Sequence, residues 1–98
     1  MTRFALIAAI ALVLPAAASS PDAWAEHETE VTAACLTASG LIDAKPHTKI
    51  TTFSDEVGYD VLIVEGTTMG GEGKQGHQMA ICLFNRATRT AVTSEMQH

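Results

Sequence analysis

The histidine and methionine side chains are the residues of this chain with the most specific chemistry. In an oxidising compartment, thioether and imidazole groups suit Cu(I), and a free amine beside a histidine suits Cu(II). Their positions follow no recurrent ligand spacing, so copper or another metal is the second of two functional hypotheses, and the first expects no cofactor. The candidate ligands are His27, Met69, His77, Met96 and His98.

The carboxylate and hydroxyl side chains offer little for catalysis. Asp55, Glu56, Asp60 and Glu65 flank a predicted turn and strand, as solvated charges do. The sequence has no nucleophile-elbow motif, and its spacing joins no serine, histidine and acid into a triad. A chain of this size also has little room for an enclosed pocket. We therefore predict a protein that is not an enzyme.

A glycine-rich stretch over residues 71–76 matches the letters of a nucleotide-binding motif. That motif works only when a helix begins directly after the loop, and here the pattern predicts a strand. The formal net charge of −5 at pH 7 also disfavours nucleic acid and anionic lipid. We expect no nucleotide, nucleic acid or membrane partner.

Cys35 and Cys82 are the two cysteines of the chain. In a small exported protein, such a pair is most simply one disulfide. A redox pair would need a C-x-x-C spacing or basic neighbours, which this sequence lacks. Closing the loop between them should stabilise the fold by about 4 kcal/mol. The sequence therefore predicts a structural bridge between Cys35 and Cys82.

The N-terminal residues have the pattern of a signal peptide. A basic residue precedes an apolar run over residues 4–14, which is shorter than the roughly 20 residues of a membrane-spanning helix. Two small-x-small cleavage sites follow, ending at Ala18 and Ala25. The second is favoured because it leaves a polar new start and discards the single tryptophan. We expect residues 1–25 to be removed and residues 26–98 to form one periplasmic or secreted domain.

Hydrophobic periodicity predicts one helix followed by four strands. Val31, Ala34, Cys35 and Ala38 form one apolar stripe at helical spacing, and Gly40 follows as a C-cap. Runs of β-branched and apolar residues between turn signals predict the strands. The predicted elements are a helix over 28–39 and strands over 47–53, 59–65, 77–84 and 87–95, with a connection over 41–46 and a glycine-rich loop over 66–76.

This order of elements predicts an α+β fold with the helix on one face of a four-stranded antiparallel sheet. Because side chains alternate along a strand, a Cys82 that faces the helix places Ile81 and Leu83 on the opposite face. That apolar face is a candidate protein-binding surface. The glycine-rich loop is another, and Met69 and Lys74 are its side chains best able to reach a partner.

Residues 59–64 have the pattern of the first strand of a hairpin, and residues 85–88 have the pattern of the turn before the last strand. In these pieces the chain resembles the PepSY-like and β-lactamase-inhibitor-like modules of secreted bacterial proteins. Arg89 stands where those families place a glycine. The resemblance implies binding or restraint of another extracytoplasmic protein, often a peptidase or other hydrolase, and it brings no catalytic residue. The first functional hypothesis is therefore a small exported, non-enzymatic protein-binding or inhibitor-like module.

Overall fold

The computed structural model of the protein describes residues 20–69 and 75–96. Its elements in chain order are α1 (Pro21–Ser39), β1 (Ile42–Pro46), β2 (Thr51–Thr52), β3 (Tyr59–Met69), β4 (Gln75–Asn85) and β5 (Thr90–Glu95). All strand pairs are antiparallel, in the order β1-β3-β4-β5, and β2 pairs with β3 along the same edge as β1. The predicted α+β fold is confirmed, with five strands instead of four.

Helix α1 begins at Pro21, so the predicted start at residue 28 was wrong. Ser20 is the N-cap, and its side-chain oxygen accepts a hydrogen bond from the backbone N–H of Ala23 at 3.1 Å. Proline in the first helical position reinforces this start. Gly40 ends the helix in the left-handed conformation at φ 67°, as predicted. The apolar stripe had indicated only the half of the helix that packs on the core.

One edge of the sheet differs from the prediction. Residues 41–46 were expected to connect elements, yet Ile42–Pro46 forms β1, and only Thr51–Thr52 of the predicted strand 47–53 is a strand. Asp43 has a positive φ of 52°, and the register shifts between Ile42 and Lys45. An irregular edge strand of this kind has a weak sequence signal. Among the described residues only one side of its backbone has a partner strand, and most of its side chains are exposed.

The β3–β4 hairpin forms the centre of the sheet. Each strand has 11 residues, and their register runs from Tyr59↔Asn85 to Met69↔Gln75. The loop predicted over residues 66–76 was therefore too long. Residues 70–74 between the strands lie outside the described residues. Gly66 lies inside β3, where an added Cβ would come within 2.7 Å of the Leu41 Cβ. Glycine at this position allows the chain that leads into β1 to approach β3 closely.

The core lies between α1 and the sheet, and the predicted disulfide crosses it. Cys35 on α1 and Cys82 on β4 are bonded, with their Cα atoms 5.8 Å apart. Ala80, Cys82 and Phe84 all face the helix, as their alternation predicted. The buried cluster consists of Val31, Cys35, Leu62, Val64, Cys82 and Phe84.

The turn between β4 and β5 is organised by Asn85. Its side-chain oxygen accepts hydrogen bonds from the backbone N–H groups of Ala87 at 2.9 Å and Thr88 at 3.2 Å. Such a turn occupies residues that were predicted to start the last strand, so β5 begins at Thr90 and not at residue 87. Arg89 takes the left-handed conformation at φ 60°, which glycine adopts more readily than any residue with a side chain.

Candidate protein-binding face and the polar clusters at its ends

The sheet has an apolar face directed away from α1, which we call the outer face. The strand register places its members side by side, with Val61 opposite Leu83, Ile63 opposite Ile81, and Leu83 opposite Val92. Ile81, Leu83 and Val92 are 37%, 39% and 61% exposed. The outer face consists of Val61, Ile63, Met79, Ile81, Leu83 and Val92. The structure thus brings the predicted binding residues Ile81 and Leu83 together.

The local sequence explains why this face is apolar. The central residues of β3 and β4 are apolar at consecutive positions, and do not alternate with polar residues. Continuous apolar runs are typical of strands that are covered on both sides. Helix α1 covers the inner side, where Leu62 and Val64 are buried. Among the described residues no element packs on the outer face, so its composition indicates an interaction surface.

Charge is distributed unequally between the two sides of the domain. Helix α1 carries four carboxylates: Asp22, Glu26, Glu28 and Glu30. In contrast, the outward-facing positions of β3 and β4 include a single carboxylate, that of Glu65. Within the described residues, α1 therefore carries more acidic charge than the outward-facing positions of the central hairpin.

Glu65 lies at one end of the outer face between two histidines. Its Oε1 is 3.0 Å from Nε2 of His77, and its Oε2 is 3.3 Å from Nδ1 of His47. Hydrogen bonds to His77 and then to His47 hold the pKa of Glu65 below its ordinary value of 4.5. The His47 and His77 side chains are 44% and 59% exposed, so this cluster forms a polar rim beside the apolar residues.

The lowered pKa of Glu65 makes the stability of the domain depend on pH in acid. A carboxyl whose pKa is depressed by folding contributes its stabilisation above its unfolded pKa, and loses it as pH falls through the folded value. We therefore expect the urea concentration at the midpoint of unfolding to decrease as the pH is lowered below about 4.5. Glu65→Gln should reduce this fall, whereas Glu56→Gln in an exposed turn should leave it unchanged. Equal pH profiles for the Glu65 variant and the parent protein would contradict this assignment.

A second polar cluster, at the opposite end of the β3–β4 hairpin, is buried. Asp60 is fully buried, with Oδ2 2.6 Å from Nε2 of His27 and Oδ1 accepting from Nη1 of Arg86 at 2.7 Å. Arg86 also donates to the carbonyls of Tyr59 at 3.0 Å and Phe53 at 2.8 Å. The cluster therefore ties α1, the start of β3, the chain before it and the β4–β5 turn together.

The role of Asp60 differs from the sequence prediction, which treated it as a solvated charge. Asp60 shares the inward-facing side of β3 with Leu62 and Val64, so strand alternation could have identified it as buried. In the part of the chain that the structure describes, every buried side-chain nitrogen and oxygen has a hydrogen-bond partner. The Asp60 cluster is thus a network of polar groups that all have hydrogen-bond partners, and its role is structural.

The proposed metal ligands are not gathered at one place. His27 binds Asp60 at one end of the hairpin, whereas His77 binds Glu65 at the other end and on the opposite face. Met96 follows β5. The side chain of Met69 and the whole of His98 are not among the described parts of the chain. Within residues 20–69 and 75–96, no three His, Cys, Asp or Glu side chains are arranged to hold a metal ion. The metal hypothesis stays a prediction.

Two shallow grooves run beside α1, each with a volume of about 490 Å³. The first lies between the helix and residues 46–50, with Glu28 and Lys49 on its walls. The second lies along the exposed side of the helix and is lined mainly by alanines and threonines. Both are open depressions with ordinary surface groups, so the outer face is the stronger candidate site.

Lys74, the remaining predicted binding residue, lies outside the described residues. No helix in the described ranges is long and apolar enough to cross a membrane. Comparisons with protein-family models, curated proteins and solved structures give no match. The fold itself defines a small α+β domain in which a disulfide joins one helix to an antiparallel sheet.

Proposed function

We propose that the protein is a small exported, non-enzymatic module that binds another extracytoplasmic protein through its outer face. The observation that carries this proposal is the apolar composition of that face, where three aliphatic side chains are more than one-third exposed. Large exposed apolar patches on small domains mark protein–protein contacts. The resemblance to PepSY-like modules points to the same class of function.

Export is supported by two features of the chain. The apolar run over residues 4–14 and the small-x-small sites after it have the pattern of a signal peptide. The Cys35–Cys82 disulfide is typical of proteins from an oxidising compartment. Both features support a periplasmic or secreted location.

The charge distribution favours a partner with an apolar docking surface. The acidic helix side points away from the outer face, so it adds little repulsion to an approaching protein. Contact would remove Ile81, Leu83 and Val92 from water, and this burial drives association. The Glu65 cluster would then lie at the polar rim of the interface, which is the usual place for exposed charges.

Site-specific photo-crosslinking in the producing cell tests this proposal. A photoreactive residue at Ile81 or at Leu83 should form an adduct with one distinct extracytoplasmic protein. The same residue at Ala33, on the exposed side of α1, is the matched control and should not form that adduct. Adducts only between two copies of the chain, or no adduct from either sheet position, would overturn the proposal.

A charge-introducing variant should separate binding from folding. We expect Leu83→Lys to weaken binding of the captured partner by at least tenfold, because the new ammonium would have to be buried in an apolar interface. Its free energy of unfolding should change by less than about 1 kcal/mol, since the side chain is 39% exposed. Titration of the partner and urea unfolding measure the two effects, and Ala33→Lys is the control. Unchanged affinity would contradict the assignment of this face.

A further inference from the structure

The first turn of α1 carries its own start signals. Ser20 has an extended backbone conformation, with φ −76° and ψ 157°, and caps the N–H of Ala23. Pro21 and Asp22 follow in the first turn, where proline and negative charge favour helix formation. These signals are local in sequence, and all of them lie in the segment that cleavage after Ala25 would remove.

The same turn is joined to the buried core through Trp24. The Trp24 ring stacks on the ring of His27, with centroids 5.5 Å apart and planes inclined by 14°. His27 in turn packs on Phe84 in a T-shaped arrangement, with ring centroids 6.0 Å apart, and binds the fully buried Asp60. Trp24 therefore covers the histidine that reaches the Asp60 cluster.

Cleavage after Ala25 would remove this arrangement. It would discard the N-cap Ser20 and the stacking partner Trp24. The shortened helix would then begin without the N-cap hydrogen bond, the proline and the Asp22 carboxylate of its first turn. The structure thus gives residues 20–25 a role in the folded domain.

We propose that the signal peptide is cleaved after Ala18, so that the mature protein begins at Ser19 and retains the first turn of α1. Residues 16–18 form a small-x-small site directly after the apolar run, and they lie outside the described residues. In the hydrolysis, water cleaves the Ala18–Ser19 peptide bond, giving Ala18 a carboxylate and Ser19 an amino group. This inference rests on the proposed export, and it replaces the site that the sequence had favoured.

The intact mass of the protein purified from the periplasmic fraction tests the inference. The expected mass begins at Ser19 and is two hydrogens lower before reduction than after it. A mass beginning at Glu26 would overturn this inference but would leave the proposed export standing. A full-length mass with two free thiols would overturn both.

A pair of variants gives an independent test. Ala18→Leu puts a large residue at the proposed cleavage position and should cause the precursor to accumulate at least tenfold. Ala25→Leu alters an exposed helical position and should leave processing unchanged. The opposite result, with precursor accumulating only for Ala25→Leu, would overturn the inference.

Discussion

Replacement of both cysteines by alanine, Cys35→Ala with Cys82→Ala, is expected to lower the free energy of unfolding by about 4 kcal/mol or more. The bridge joins residues separated by 47 positions in the chain. In the chain-entropy model, opening a loop of this length stabilises the unfolded state by about 4 kcal/mol. Small domains typically have about 5–15 kcal/mol in total, so the variant should be close to unfolding.

The position of the bridge adds to the expected effect. Both cysteines are fully buried in the cluster that joins α1 to β3 and β4. Alanine would remove both sulfur atoms and leave unfilled space against Phe84 and its neighbours, which costs further stability. Few large apolar side chains of α1 reach the core, since Val31 and Cys35 are its buried residues.

Urea unfolding of the oxidised protein, the reduced protein and the double variant separates these two contributions. Reduction opens the loop but keeps the sulfur atoms. The difference in free energy of unfolding between the reduced protein and the variant therefore measures the cost of the cavity. We expect reduction to account for most of the loss. A double variant within about 1 kcal/mol of the oxidised protein would contradict a structural role for the bridge.

Asp60→Ala is expected to lower the free energy of unfolding by about 3 kcal/mol. Removing one member of a buried ion pair commonly costs about 3–5 kcal/mol, because the remaining charge is left without its partner. Arg86 keeps its hydrogen bonds to backbone carbonyls and is 18% exposed, so the lower end of that range applies. His27 would lose its partner as well.

An exposed ion pair provides the matched control for the Asp60 variant. Arg89 and Glu30 also join the β4–β5 turn to α1, but both side chains are more than one-third exposed. Glu30→Ala should therefore cost less than about 1 kcal/mol in the same urea assay. Similar losses for the two variants would show that burial does not govern the Asp60 pair. Asp60→Ala combined with Arg86→Met should cost less than the sum of the single changes if the pair interacts directly.

The two ends of the β3–β4 hairpin thus have different physical roles. At one end Asp60 is buried and bonded on both oxygens, so its charge stabilises the fold. At the other end Glu65 and its histidines are accessible to water and border the apolar outer face. A partner bound to that face would contact the second cluster and leave the first one covered.

Local sequence patterns were sufficient for the central part of the fold. Strand alternation predicted which side of β4 meets the helix. Side chains alternate between the two faces of a strand, so each one is assigned to a face once Cys82 is known to face the helix. Composition predicted the Cys35–Cys82 bridge, because the two cysteines have one possible pairing. The pair Ile81 and Leu83 on the outer face followed from the same alternation.

Only the tertiary structure decided the edges of the domain and its polar contacts. Strand β1 forms where Gly66 lets the chain approach β3, a long-range contact with no local signal. The partners of Asp60 come from residues 27 and 86, which periodicity does not connect. By itself the sequence determined the fold class, the bridge and the orientation of the central strands, because these depend on local periodicity and composition. Tertiary packing decided which carboxylate is buried and which strand forms the edge, because both depend on neighbours that are distant in the chain.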